Sequence, residues 1–88
     1  MELKKGFVLR EICGERVIVA EGLDVINFNR LLSLNDTAAF LWKEASRMGT
    51  FTEEDLAEAL CREYEIDADT ARDDVHSIVQ EWQRLMLV

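Results

Sequence analysis

Proline is absent from this chain of 88 residues, and its four glycines, Gly6, Gly14, Gly22 and Gly49, stand singly. Scattered glycines build no phosphate-cradling loop, and without proline nothing interrupts a helix from within. The two cysteines, Cys13 and Cys61, lie 48 positions apart, a spacing that fits neither a metal cage nor a redox pair, so both are expected as reduced thiols. Long hydrophobic runs are missing as well. The longest, Ala38 to Trp42, is far too short to cross a bilayer, and no basic-then-apolar secretory segment opens the sequence. The expectation is a soluble, cytoplasmic protein with no membrane partner. Positive charge is scarce in the second half: residues 53–88 carry three basic and eleven acidic side chains, against seven and seven in residues 1–52. The whole net charge of −8 therefore sits in the last 36 residues. Nucleic-acid affinity comes mainly from Lys and Arg displacing phosphate counterions, so this half repels DNA and RNA, and acidic lipid for the same reason.

What remains is 49% hydrophobic residues in a length that makes one domain, residues 1–88, with a real but modest core. Such a chain leaves no room for a catalytic scaffold plus a separate binding module. Phe7 to Ile12 and Arg16 to Ala20 are rich in β-branched and apolar types and read as strands, joined by a hairpin turning near Gly14. Glu21 to Asn27 reads as a loop, and Arg30 to Leu34 as a third strand. From Asn35 the apolar period becomes helical. Asn35 or Asp36 caps a first helix from Asp36 to Arg47 that ends before Gly49. Thr52, followed by Glu53, Glu54 and Asp55, opens a second, whose buried side is Leu56, Leu60 and Tyr64. After a connector from Glu65 to Ala68, Asp69 or Thr70 starts a third helix that runs to about Met86. On it, Ala71, Val75, Ile78, Val79, Trp82, Leu85 and Met86 fall within an arc of roughly 120°, with Asp73, His76, Gln80 and Arg84 opposite. The order β-β-β-α-α-α predicts a winged helix-turn-helix-like α+β fold, a three-stranded antiparallel sheet followed by three helices.

No catalytic constellation emerges. The neighbouring carboxylates Glu53-Glu54 and Asp73-Asp74 point about 100° apart on a helix and cannot converge on one atom. His76, the only histidine, is placed on the solvent side with no serine or cysteine positioned to use it. Cys61 falls on the buried flank of the second helix, where a thiol behaves as a small hydrophobe, and Cys13 sits in the hairpin turn with no cation placed to activate it. The residues predict no enzyme and no cofactor. Trp42 reads as core, whereas Trp82, central in the third helix's stripe, is either core alone or core and groove wall together.

The remaining feature is an edge. A three-stranded sheet leaves unpaired N–H and C=O groups along at least one margin, a template for an added strand. If the third strand is that margin and the third helix stands beside it, the two form a trough with a floor of about 16 Å and a wall of about 26 Å. That length suits an extended peptide of about five to seven residues. The alternative is that the helix covers the edge completely.

Leu34-Asn35-Asp36-Thr37-Ala38-Ala39-Phe40-Leu41-Trp42 resembles the "L-N-x-T-x-x-x-[IL]-W" signature of the PqqD family, coenzyme PQQ synthesis protein D-like proteins. Phe7 to Glu11, Gly49 to Leu56 and Ala71 to Val75 also carry the residue types that family's pattern places there. The resemblance implies a peptide chaperone, a recognition element for ribosomally made, post-translationally modified peptides. Such a domain takes a precursor's leader as an added strand and presents it to a modifying enzyme, often a radical-SAM protein. By position, the edge then falls on Arg30, Leu31, Leu32, Ser33 and Leu34, and the wall on Asp74, Ile78, Glu81, Trp82 and Leu85. The opposite flank, from Arg72 to Gln83, is the other candidate wall. The narrower group devoted to PQQ carries proline before the Leu-Asn junction, whereas this chain has Gly22 to Phe28 there and no proline. The recognition mode therefore carries over better than the product. Two other readings remain: a homodimer or other interaction domain using the same edge, and a DNA-binding regulator, which Asp73, Asp74 and Glu81 on the would-be groove helix disfavour.

Overall fold

The computed structural model describes residues 1–20 and 30–88. Its elements are β1 (Phe7–Ile12), β2 (Glu15–Ala20), β3 (Arg30–Leu34), α1 (Asp36–Met48), α2 (Glu53–Glu63) and α3 (Ala68–Arg84). This is the expected α+β order. The loop read over Glu21 to Asn27, and with it the Gly22 to Phe28 segment, lies outside the described residues.

The β1–β2 hairpin closes through two residues, Cys13 and Gly14, with φ of 53° and 81°. Two successive positive φ values define the turn whose twist matches that of paired strands, and glycine takes the second at no steric cost. The strand order is β1-β2-β3, antiparallel throughout. As the central strand β2 is buried on both faces: Ile18 enters the helical core, while Val17 and Val19 are equally inaccessible on the other pleat. That explains its unbroken apolar run.

Each helix begins at a side-chain cap. Asn35 accepts from the Ala38 N–H at 2.8 Å, which leaves Asp36 to pair with Arg16 of β2 at 2.7 Å. Thr52 and Asp55 form a reciprocal capping box, with bonds of 3.1 and 3.0 Å. Asp67, not Asp69 or Thr70, caps α3 by accepting from the Thr70 N–H at 2.8 Å, so the helix starts earlier than its sequence indicates. Its end is also earlier. Met86 turns left-handed at φ 62°, and the Leu87 N–H donates back to the Trp82 carbonyl at 2.8 Å. This closure swings Leu87 into the core and leaves Met86 65% exposed, correcting its expected place on the buried stripe. Tyr64 departs from expectation for the same kind of reason. It is the extended C-cap of α2, so helical phase no longer applies, and it sits 38% exposed with its ring edge-on to Phe40.

One apolar cluster joins the sheet to all three helices, centred on Trp42 and Trp82, whose rings cross at 82° with centroids 5.1 Å apart. The N-terminal arm ties into it: the Met1 amino group donates to the Phe51 carbonyl at 2.7 Å, and the Lys4 N–H to the Leu87 carbonyl at 2.8 Å.

Candidate functional site

β3 pairs with β2 along one side, and among the described residues no strand lies on its other side. Within it, Leu32 and Leu34 are half-buried against the core while Ser33 between them is exposed, the alternation of a strand with one face packed. The register slips farther back: Ile18 faces Leu32, but Val19 faces Arg30, so Leu31 has no opposite number. A bulge bends and twists the strand at that point. The regular part of the margin is therefore Leu32 to Leu34, about 10 Å, shorter than the five-residue floor read from sequence.

Close backbone packing joins β1 to β2, β2 to β3, α1 to α2, α2 to α3 and, at the strand's end, α1 to β3. α3 is packed on α2 and has no comparable contact along β3. The flank of α3 that bears Asp74, Ile78, Glu81 and Leu85 follows steps of four, three and four residues and so forms one stripe. Asp74 is exposed; Ile78, Glu81 and Leu85 are half-buried, Ile78 and Leu85 resting on the core.

Asp74 and Ile78 meet Asn35 and Thr37, the residues just past β3, around a pocket of about 230 Å³ that Ser77 completes. Sequence reasoning passed over Asn35, Thr37 and Ser77 as lining groups. Their signals were present: Ser77 lies on the same stripe as Asp74, and Asn35 and Thr37 belong to the Leu-Asn-x-Thr junction. Glu81 and Leu85 continue the stripe beyond this pocket.

Trp82 needs correction as a wall residue. Its ring has no accessible surface and packs edge-on to Trp42, so it supports the wall from behind and offers nothing to a ligand. The arc of a helix wheel is symmetric, and only the neighbours decide which part of it faces outward.

The two carboxylates of the stripe differ in their surroundings. Arg84 holds Glu81 through a two-pronged pair, its Nε donating at 3.0 Å, and that bond lowers the Glu81 pKa below the ordinary carboxylate range. Asp74 has no ion pair or hydrogen bond with any described residue.

The opposite flank is turned to α2. Arg72 spans the gap, bonding Glu54 at 3.3 Å and Asp69 at 3.0 Å, and His76 Nδ1 lies 2.9 Å from Glu53 Oε1. His76 is exposed as expected, but it is engaged rather than idle. A larger depression of about 520 Å³ between α2 and α3 includes Arg72 and half-buried Cys61. Among the described residues no group of three His, Cys, Asp or Glu side chains is placed to hold a metal. Nor is any helix long and apolar enough to cross a membrane. A strand margin unpaired among the described residues, next to a half-buried apolar stripe, can hold an extended chain.

Two solved structures share the fold. "TbiB1 in Complex with the TbiA(beta) Leader Peptide" superposes with a TM-score of 0.75 over 99% of this chain and 93% of that one, at 18% identity. "Lasso peptide synthetase B1 complexed with the leader peptide" gives 0.68 over 93% and 88%, at 21% identity. No curated protein matches. The sequence pattern of Coenzyme PQQ synthesis protein D (PqqD) matches residues 15–88, and the chain belongs to the PqqD family.

Proposed function

We propose that this chain is a non-catalytic peptide chaperone that binds the leader segment of a ribosomally made precursor. The leader adds as a strand to the margin of β3 away from β2, over Arg30, Leu31, Leu32, Ser33 and Leu34. Its side chains lie against Asp74, Ile78, Glu81 and Leu85 of α3, with Trp82 as the rigid backing. The observation that carries this reading is a β3 margin that pairs with no further described strand, next to a half-buried stripe, in a family member whose fold is that of two proteins solved with leader peptides.

The margin supplies main-chain hydrogen bonds, which give affinity without reading sequence; the α3 stripe selects side chains. Each such bond is worth about 0.5–1.5 kcal/mol net and the regular margin is short, so binding is roughly micromolar. Affinity of that order lets the chain hand its cargo to a peptide-modifying enzyme, of the radical-SAM class or another, in the cytoplasm.

The test is titration of isotope-labelled protein with a synthetic leader peptide encoded by a precursor gene adjacent to its own. The reading expects amide shifts confined to residues 30–34 and the Asp74 to Leu85 stretch of α3. Shifts confined to α1 and α2 overturn it. Absence of shifts together with concentration-dependent self-association assigns the margin to a second copy instead.

A further inference from the structure

Resting on that reading, we infer that the pocket at the Leu34 end of the groove selects a lysine or arginine side chain of the bound peptide. The pocket, about 230 Å³, is lined by Asn35, Thr37, Asp74, Ser77 and Ile78: one carboxylate, no cation, neutral polar groups and a single apolar side chain. Asp74 is the decisive group. Glu81 pairs with Arg84, Arg72 with Glu54 and Asp69, and His76 with Glu53, while Asp73, also unpaired among the described residues, faces the α2 side away from this pocket. The Asp74 carboxylate has no such partner among the described residues.

A ligand matched to this lining has an apolar stem and a cationic, hydrogen-bond-donating tip. Lysine and arginine are built that way, with methylenes that cover apolar surface while the charged head stays at a polar group. Ile78, half-buried at the pocket wall, takes the stem, and Asp74 takes the head in a charge-assisted bond. The Ser77 and Thr37 hydroxyls are acceptors for the remaining donors. An acidic side chain is refused by Asp74, and a purely aliphatic one leaves these polar groups without partners.

Position along the peptide follows from the pairing. Antiparallel is the commoner arrangement of neighbouring strands, and a strand added antiparallel to β3 has its N-terminal end at Leu34. The basic residue therefore lies at the N-terminal end of the bound segment.

A display library of random heptapeptides, selected separately on the wild-type protein, Asp74→Asn and Asp74→Lys, tests this. Asp74 is exposed, and matching melting curves establish that both variants fold. Wild type is expected to enrich Lys or Arg at one position near the N-terminal end; Asp74→Asn loses the enrichment and Asp74→Lys turns it toward Asp or Glu. A peptide recovered on wild type binds Asp74→Asn about five-fold more weakly, the size of a good exposed ion pair. Selected peptides that shift the Leu32 to Leu34 amides without a basic preference, or with the same preference on Asp74→Asn, overturn the pocket assignment and leave the groove reading standing. Failure of every library to yield a binder overturns the groove reading, and the assignment with it.

Discussion

Along the flank of α3 that meets α2, Arg72 is held by Glu54 and Asp69, and His76 lies against Glu53. Along the flank that looks toward β3, Asp74 has no partner among the described residues, and Ile78 and Leu85 stop at half burial. The difference is one of degree, since Asp73 on the α2 side also has no partner among the described residues and Glu81 on the other side is held by Arg84. Polar and apolar groups are retained half-satisfied where something else is to satisfy them, because each costs stability in the unliganded state. The proposed groove is placed on the β3 side for its half-buried apolar stripe and not for the size of its depression; the larger cavity lies on the α2 side.

Trp82 separates the two sides and should give the largest effect. Trp82→Ala removes a fully buried indole and its edge contact with Trp42, a cost of about 3–5 kcal/mol. For a domain of this size that is a large part of the total stability, and urea denaturation should show a chain near the edge of unfolding. A stable Trp82→Ala protein that has lost only peptide binding would restore Trp82 to the groove.

Neighbouring positions sharpen the contrast. Val79 is buried within the core, whereas Ile78, one residue earlier, is half-exposed on the stripe. Val79→Ala should cost about 2 kcal/mol of stability and leave affinity nearly unchanged in the protein that remains folded. Ile78→Ala should cost about half as much stability but weaken peptide binding about tenfold, measured by fluorescence anisotropy. Equal effects of the pair on both quantities would erase the distinction between wall and core.

Features fixed by a few adjacent residues were legible in the sequence. The three strands, the Thr52 cap and the stop at Gly49 all follow from local backbone chemistry, and the strand margin follows from having three strands in an open sheet. Features set by distant contacts were not. The bulge at Leu31 depends on how β2 and β3 register, and the early end of α3 depends on Leu87 being drawn into the core. Tyr64 leaves the buried side of α2 because it is the extended C-cap, one residue past the end of helical phase. For Trp82 the sequence leaves core alone and core with groove wall as alternatives, because a 120° arc does not reveal which portion neighbours will cover. The pocket over Asp74 is not legible because two of its five lining residues come from the start of α1, about forty residues away in sequence.

The Asp67 cap yields a smaller effect with a pH signature. Bonds from the Thr70 backbone N–H and then the Thr70 hydroxyl hold the Asp67 carboxyl below its ordinary value of 3.8. A group whose pKa is lower in the folded state stabilises above its unfolded pKa, and that contribution is lost as pH falls through the folded value. Glu81, lowered by Arg84, acts in the same direction. The melting temperature should therefore fall as pH drops below about 4. Asp67→Ala should melt about 5 °C lower at neutral pH. Asp67→Asn keeps a capping oxygen and should melt near wild type at neutral pH with a shallower acid limb. An unchanged acid limb in Asp67→Asn would assign the acid sensitivity to other carboxylates.

The weakest expected effect bears most directly on the two flanks. His76 and Glu53 are substantially exposed, with side chains 57% and 40% accessible, and an exposed pair of this kind contributes under about 0.5 kcal/mol. His76→Ala should therefore shift the urea midpoint barely at all, and because it lies on the side facing α2 it should leave peptide affinity untouched. Asp74→Asn, equally mild in stability, should still alter affinity. Both substitutions change one exposed side chain on the same helix, and with stability matched by melting curves the side on which the peptide lies is what separates their effects on affinity. A His76→Ala protein that binds more weakly while Asp74→Asn binds normally would move the groove to the α2 face, where the Arg72 bridge would have to open to admit a chain.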